Sequence, residues 1–162
     1  MGEEILILTT GGTIDKVYFD GRSTYQVGEP QIAEIMKAVN VVVAYRIETL
    51  FRKDSNDLSL DDRAVIAARV RDADHDRILI THGTDTMVET ANALRFVEDK
   101  TIVLVGSLMP ARFKSTDAEF NIGFALAAVQ SLPRGIFVAM NGRIFKPPNV
   151  RKNWDLDCFE VV

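Results

Sequence analysis

Hydroxyls and glycines crowd three short segments of this chain: Thr9-Thr10-Gly11-Gly12-Thr13-Ile14, Thr81-His82-Gly83-Thr84-Asp85-Thr86 and Gly106-Ser107-Leu108-Met109-Pro110. A threonine hydroxyl can attack or orient an electrophile, and glycine lets a small ligand approach the backbone closely. Thr84 and Asp85 stand just ahead of a helical pattern, where free N–H groups favour an anionic ligand group. Taken singly, each feature has an ordinary explanation. Gly11-Gly12 is then a tight turn, and Thr84 or Asp85 a second cap. Their coincidence at one edge of a sheet makes them a candidate site. Asp54-Ser55-Asn56 joins them, because it lies where a strand near residues 47–50 should end.

Other chemistries fail on spacing. Gly11-Gly12 lacks the third glycine of G-x-G-x-x-G, and G-x-x-x-x-G-K-[ST] is absent, as is the G-x-S-x-G of a serine nucleophile elbow. His75, His82 and Cys158 have no metal-ligand spacing and make a poor zinc set; no metal or organic cofactor is implied. His82 is read as orienting its own loop by hydrogen bonding. His75, in the charged run 71–77, is read as solvated.

The elements that must position these segments are legible as apolar runs. Ile5-Leu6-Ile7-Leu8 reads as a strand buried on both faces, and the pattern recurs at Val41-Val42-Val43, Ile78-Leu79-Ile80, Ile102-Val103-Leu104-Val105 and Ile136-Phe137-Val138-Ala139. Helices are predicted between them. Ser59-x-x-Asp62 opens one with Ile66 and Val70 on its inner face. Thr86-x-x-Glu89 has the capping-box form ahead of Met87, Ala91 and Leu94, and Thr116-x-x-Glu119 precedes Phe120, Phe124 and Ala127. Strands alternating with helices imply an α/β fold, Rossmann-like and doubly wound, whose mostly parallel sheet carries helices on both faces. Ligands bind such sheets outside the carboxyl ends of the strands. Residues 15–28, with Gly21 and Gly28, read as a mobile loop or loose hairpin. The acidic stretch 54–76 beyond Asn56 reads largely as a solvated helix face. No repeat or linker divides residues 1–162, so one domain is expected.

Composition bounds the function. Of 162 residues, 47% are hydrophobic and 26% charged, enough for a packed core and too apolar for wholesale disorder. A formal charge of -4 gives no general footprint for nucleic acid or an anionic membrane, and no apolar run approaches membrane-spanning length. Glu3 and Glu4 stand where a signal peptide would be basic, and Leu6 stands where a myristoylation signal needs a hydroxyl. Cys158 is the single cysteine. A cytoplasmic protein is expected.

Thr10-Gly11-Gly12-Thr13-Ile14 and His82-Gly83-Thr84-Asp85-Thr86-Met87, about 70 residues apart, resemble two motifs of the bacterial-type asparaginase family. Further stretches are similar to that family. They are Tyr25, Asp54-Ser55-Asn56-Asp57-Leu58, Gly106-Ser107-Leu108-Met109-Pro110, Asp117-Ala118-Glu119-Phe120-Asn121, and Met140-Asn141 followed by Lys152. The resemblance spans essentially the whole chain but only the larger N-terminal domain of the usual member, so the chain is either a short version or a fragment. It implies hydrolysis of asparagine, and often glutamine, with Thr13 attacking the side-chain amide to give a β-aspartyl ester. Tyr25 would help take the Thr13 proton. Thr84, Asp85 and Lys152 would form a second hydroxyl–base constellation. Gly12, Asp54, Ser55, Asn56, Gly83, Thr84 and Asp85 would hold the substrate, a small amino-acid amide. An amidase subunit of an amidotransferase and a catalytically silent binding module of the same fold stand as alternatives. A homodimer is expected, because the second domain that walls the pocket in longer relatives has no counterpart here.

Overall fold

A computed structural model describes residues 4–19 and 24–162 of the chain. The first strand, β1 (Ile5–Gly11), leads through a 3-10 turn at Thr13–Asp15 into a hairpin of β2 (Lys16–Phe19) and β3 (Thr24–Val27). After α1 (Ile32–Ala38) comes β4 (Tyr45–Lys53), then a 3-10 turn at Ser55–Asp57 and α2 (Leu60–Arg71). The chain continues through β5 (Arg77–Thr81), α3 (Met87–Ala93), β6 (Thr101–Val105) and α4 (Ala118–Ser131). It ends in β7 (Gly135–Met140), β8 (Arg143–Phe145), β9 (Val150–Asn153) and β10 (Cys158–Val161).

The central sheet runs β4-β1-β5-β6-β7-β8, with every pair parallel except β7–β8. Every residue of β1 and β6, and all of β5 beyond Arg77, is buried. Such continuous burial requires cover on both faces, as the continuous apolar runs predict. Helix α4 packs across β5, β6 and β7, and α3 against β6 and β7. From β1 the chain winds out to β4 on one side and returns to β5 on the other. The strand order therefore reverses between β1 and β5, and the crevice at such a reversal is where open α/β sheets place ligands. The Thr13 turn leaves β1 there, and the Thr84 loop leaves β5 beside it.

Four local expectations need correction. Val41-Val42-Val43 is no strand: it is a connection, with Val42 97% exposed, and the strand is β4. Register decides this, since Ile5 N–H donates to Ala44 O and Tyr45 becomes the partner of Ile5. As an edge strand half open to solvent, β4 carries Arg46, Glu48 and Arg52 and so lacks a continuous apolar run. Thr86 makes no capping bond, because its hydroxyl donates instead to Ser55 O at 2.8 Å. Helix α4 turns Ala118, Ile122, Ala125 and Val129 inward and leaves Phe120 63% exposed and Ala127 exposed. Small side chains bring that helix close to the sheet, and Phe120 stacks outside on the half-buried Phe124. His75 is not solvated: its Nε2 lies 2.9 Å from Glu4 Oε2 and the ring is mostly covered.

Other expectations hold. Ser59 and Asp62 form a complete capping box on α2, with Ile66 and Val70 buried, and Met87, Ala91 and Leu94 are buried beneath α3. Within 15–28 the described part is a hairpin in which Tyr18 pairs with Tyr25; Gly21 lies outside the described residues.

Candidate active site

The end of β1 can turn where it does because of two glycines in the left-handed region. Gly11 has φ 102° and Gly12 φ 89°. A Cβ on Gly12 would fall on the backbone of Gly83, and one on Gly11 would strike Lys53. Only glycine permits this approach of the β1 and β5 loops. Gly12 N–H donates to Lys53 O at 2.9 Å, and the half-buried Thr13 opens the turn anchored by buried Ile14. The Thr13 hydroxyl has no hydrogen-bond partner among the described residues.

The β5 loop rests on a buried histidine. His82 Nδ1 lies 2.7 Å from Gly83 O, which can only accept, so Nδ1 carries the proton. Its Nε2, 2.7 Å from Thr90 Oγ1, then accepts from that hydroxyl, which itself accepts from Arg63 Nε at 3.1 Å. Burial, helped by the Arg63 charge and opposed by the Gly83 bond, lowers the His82 pKa to about 4. The ring is thus neutral and orients its loop, as the residue pattern predicts. Behind it Asn121 Nδ2 donates to Gly106 O, while the Asp117 carboxylate accepts from Leu108 and Met109 N–H. The 106–110 segment is therefore a fastened wall of the crevice.

Lys152 arrives from β9. Phe159 of the neighbouring strand β10 is buried against Phe145 at 6.4 Å, and its N–H donates to Asn141 Oδ1 at 2.8 Å, which ties the β9–β10 hairpin to the β7–β8 turn. So held, Lys152 Nζ donates to Thr84 Oγ1 at 2.9 Å and to Asp85 Oδ1 at 2.7 Å, and its side chain is 10% exposed. The Trp154 ring centroid lies 4.1 Å from the same ammonium. Asp85 Oδ2 accepts from Asn56 Nδ2 at 2.8 Å, and Asn56 also donates to Asp54, which pairs with Lys16 at 3.0 Å. Burial works against the Asp54 carboxylate, but the Asn56 N–H and Lys16 outweigh it and hold its pKa below the usual range. Ser55 is buried against Gly83.

One connected network thus joins Gly12, Asp54, Ser55, Asn56, Gly83, Thr84, Asp85 and Lys152. Tyr25 stands apart from it. Half exposed on β3, its ring meets Tyr18 at 5.6 Å and Phe113 at 6.1 Å, and no hydrogen bond joins it to Thr13. A cavity of about 360 Å³ opens beside Thr84, Asp85, Lys152 and Trp154. A larger apolar groove between α2 and α3 offers alanines and arginines but no nucleophile. Trp154, Lys16, Asp15 and the Arg63–Thr90 relay escape sequence reasoning. Arg63 and Thr90 are 27 positions apart, and nothing local pairs them.

Arranged this way, the site offers a Thr13 hydroxyl with no partner among the described residues, a Thr84 hydroxyl bound to an ammonium, and the glycine-rich backbone of both loops. Among the described residues no cluster of His, Cys, Asp and Glu could hold a metal ion, and no helix is long and apolar enough to cross a membrane.

Comparison with known proteins agrees with this geometry. Residues 4–162 match the model of the asparaginase N-terminal domain. The chain is 33% identical to a glutaminase-asparaginase of Pseudomonas fluorescens biotype A, over 91% of its own length and 45% of that protein's. It is 31% identical to a glutamyl-tRNA(Gln) amidotransferase subunit of Archaeoglobus fulgidus, over 93% of this chain and 39% of the other. The crystal structure of a probable cytoplasmic L-asparaginase from Campylobacter jejuni superposes with a TM-score of 0.82 at 30% identity, covering 98% of this chain and 51% of that one. The chain spans about half the length of the curated relatives it matches. With two threonine loops meeting at the sheet's switch point and a lysine delivered onto one of them, the chain belongs to the asparaginase family.

Proposed function

We propose that this chain hydrolyses L-asparagine to L-aspartate and ammonia through a threonine nucleophile. The observation that carries the reading is the Lys152 ammonium bound to both Thr84 and Asp85, on the loop whose Gly83 backbone lies against Gly12, the residue before Thr13. A carboxamide is a poor electrophile, so covalent catalysis needs an activated hydroxyl and a stabilised oxyanion. Thr13 Oγ1 attacks the side-chain carbonyl carbon while Tyr25, as a relay, helps take its proton and passes one on to the departing nitrogen. The tetrahedral oxyanion is met by backbone N–H groups of the two glycine loops. Collapse breaks the C–N bond, ammonia departs with a proton, and a β-aspartyl ester remains on Thr13. Water then adds to the ester, assisted by the Thr84–Lys152–Asp85 constellation. The C–O bond breaks, aspartate leaves, and Thr13 regains its proton. Gly12, Asp54, Ser55, Asn56 and Gly83 shape the seat of the substrate's α-carboxylate and α-amino groups together with Asp85. Glutamine is the proposed side substrate, supported by a relative titled a glutaminase-asparaginase.

The amidotransferase reading has its own support in the archaeal relative of that name. Ammonia release from asparagine by the purified chain, with no partner protein present, supports the asparaginase. Release that appears only with a partner supports the amidotransferase component, and no release under either condition leaves a binding module. The cytoplasm is the proposed compartment, on the single cysteine. A homodimer is the proposed assembly, because Tyr25 and Trp154 leave the site open to solvent and a second copy would wall it. Light scattering at assay concentration checks this.

A further inference from the structure

The turn that carries Thr13 ends in a carboxyl group that the chemistry above does not use. Asp15 is 2% exposed, and no lysine or arginine reaches it within ion-pair distance among the described residues. Its Oδ1 accepts the Gln31 N–H at 2.8 Å, its carbonyl oxygen accepts the Gly28 N–H at 2.8 Å, and its own N–H donates to Gly12 O at 3.2 Å. Gln31 is itself held on two sides: Nε2 donates to Glu29 O at 2.9 Å, and Oε1 accepts from Arg112 Nε at 3.2 Å. Asp15 therefore touches the Gly12–Thr13 turn and also the chain where it leaves β3 and enters α1. Between these two contacts lies the β2–β3 hairpin, which among the described residues forms a two-stranded sheet of its own, separate from the central one. An isolated hairpin is marginal by itself; Lys16–Asp54 and Tyr25–Phe113 hold its body, and the neck sets the point from which it stands.

We propose that Asp15 is a positioning residue, a clasp that closes the neck of the β2–β3 hairpin onto the Thr13 turn and so sets where Tyr25 stands relative to Thr13. The inference rests on the reading of Thr13 and Tyr25 as reacting partners. Arg52 of β4 and Glu29 of the neck are the charged groups that face Asp15, with Gln31 as its hydrogen-bond donor. Burial dominates and raises the Asp15 pKa to about 7, against partial relief from Gln31 and Arg52. In an opened neck the carboxyl is hydrated and ionises near its ordinary value of about 3.9. Ionisation consequently favours opening, and the clasp weakens as pH rises from about 4 to about 7 and not beyond.

The test combines amide hydrogen exchange with kinetics on Asp15→Ala, Asp15→Asn and Tyr25→Phe. Asp15→Ala should lower protection of the Gly28 and Gln31 amides at least tenfold or so while β1 and β5 amides keep theirs, as a local opening requires. Asp15→Asn keeps an acceptor for Gln31 and should restore protection and kcat. In a double-mutant cycle Tyr25→Phe should cost less kcat in the Asp15→Ala background than in the wild type. Unchanged protection in Asp15→Ala, or strictly multiplicative kcat losses, overturns the proposal. Should Asp15→Ala fail to fold, wild-type neck protection must still fall between pH 4 and 7 and that of Asp15→Asn must not; identical profiles overturn it. A wild type without asparagine turnover counts against the proposed function, while the exchange data still decide the clasp.

Discussion

The two threonine loops leave adjacent strands, yet they are held by opposite means. Around Thr84 the side chains bind one another: Lys152, Asp85, Asn56 and Asp54 form a continuous chain of bonds, and the loop beneath is braced by the neutral His82 and by Thr90. Around Thr13 the backbone is packed by its glycines, but the hydroxyl has no partner among the described residues and Tyr25 is 49% exposed on a separate hairpin. The difference teaches a division of labour. A site that stabilises charge needs groups whose orientation is settled before substrate arrives, and the Thr84 side supplies them. Under the proposed reaction a free amino acid would also need an entrance, and the Thr13 side, beside the half-exposed Tyr25 hairpin, would supply it.

Replacement of the Thr13 hydroxyl is the sharpest way to break this contrast. Thr13→Ala should lower kcat/KM for asparagine by about three decades or more, since the attacking group is lost, with a thermal midpoint within a few degrees of wild type. Steady-state ammonia release and a melting curve decide it, and activity above about a tenth of wild type would remove Thr13 from the nucleophile's role. On the braced side, Lys152→Met should lower kcat about a hundredfold, the usual scale for losing a proton-transfer group. It should also destabilise by about 1–3 kcal/mol, because Asp85 loses a largely covered partner. An unchanged kcat returns Lys152 to a structural ion pair.

Thr90→Val, an isosteric change that empties the relay between Arg63 and His82, should act on stability more than on rate. The expected loss is about 1–3 kcal/mol for the unsatisfied His82 Nε2, with kcat altered only a fewfold. A kcat loss as large as that of Lys152→Met would mean that the brace itself takes part in the chemistry. The smallest expected effect is in the pH dependence of stability. The raised pKa of Asp15 favours the folded state at low pH, and that contribution disappears as pH climbs from about 4 to about 7. His82 has the opposite sign: its lowered pKa gives a contribution present above about 6.5 and lost as pH falls toward about 4. The two cancel over a shared window, so wild-type stability should be nearly flat there. Chemical denaturation of Asp15→Asn should uncover the His82 slope, with stability rising between pH 4 and 6.5; a profile parallel to wild type contradicts the assignment.

Much of this site is legible from residues near one another in the chain. The strand runs, the Gly11-Gly12 turn, the Ser59 capping box and the family's motifs follow from backbone sterics, periodicity and residue type over a few positions. The reading goes astray where a longer-range choice intervenes. Three valines at 41–43 look like a strand, but the pairing of Ile5 with Tyr45 starts the real one later and exposes Val42. Phe120 and Phe124 look like a core face, but the sheet takes the small residues of α4 instead.

By itself, then, the sequence determines the α/β order, the two threonine loops and the family, because each depends on local pattern and chemical type. Tertiary structure alone decides that Lys152 meets Thr84 across 68 positions, that His75 meets Glu4, and that Asp15 is shut away from water while Asp54 keeps its charge. The physical reason is that hydrogen-bond partners and desolvation are properties of whatever packs alongside a group, and that neighbour comes from a distant part of the chain.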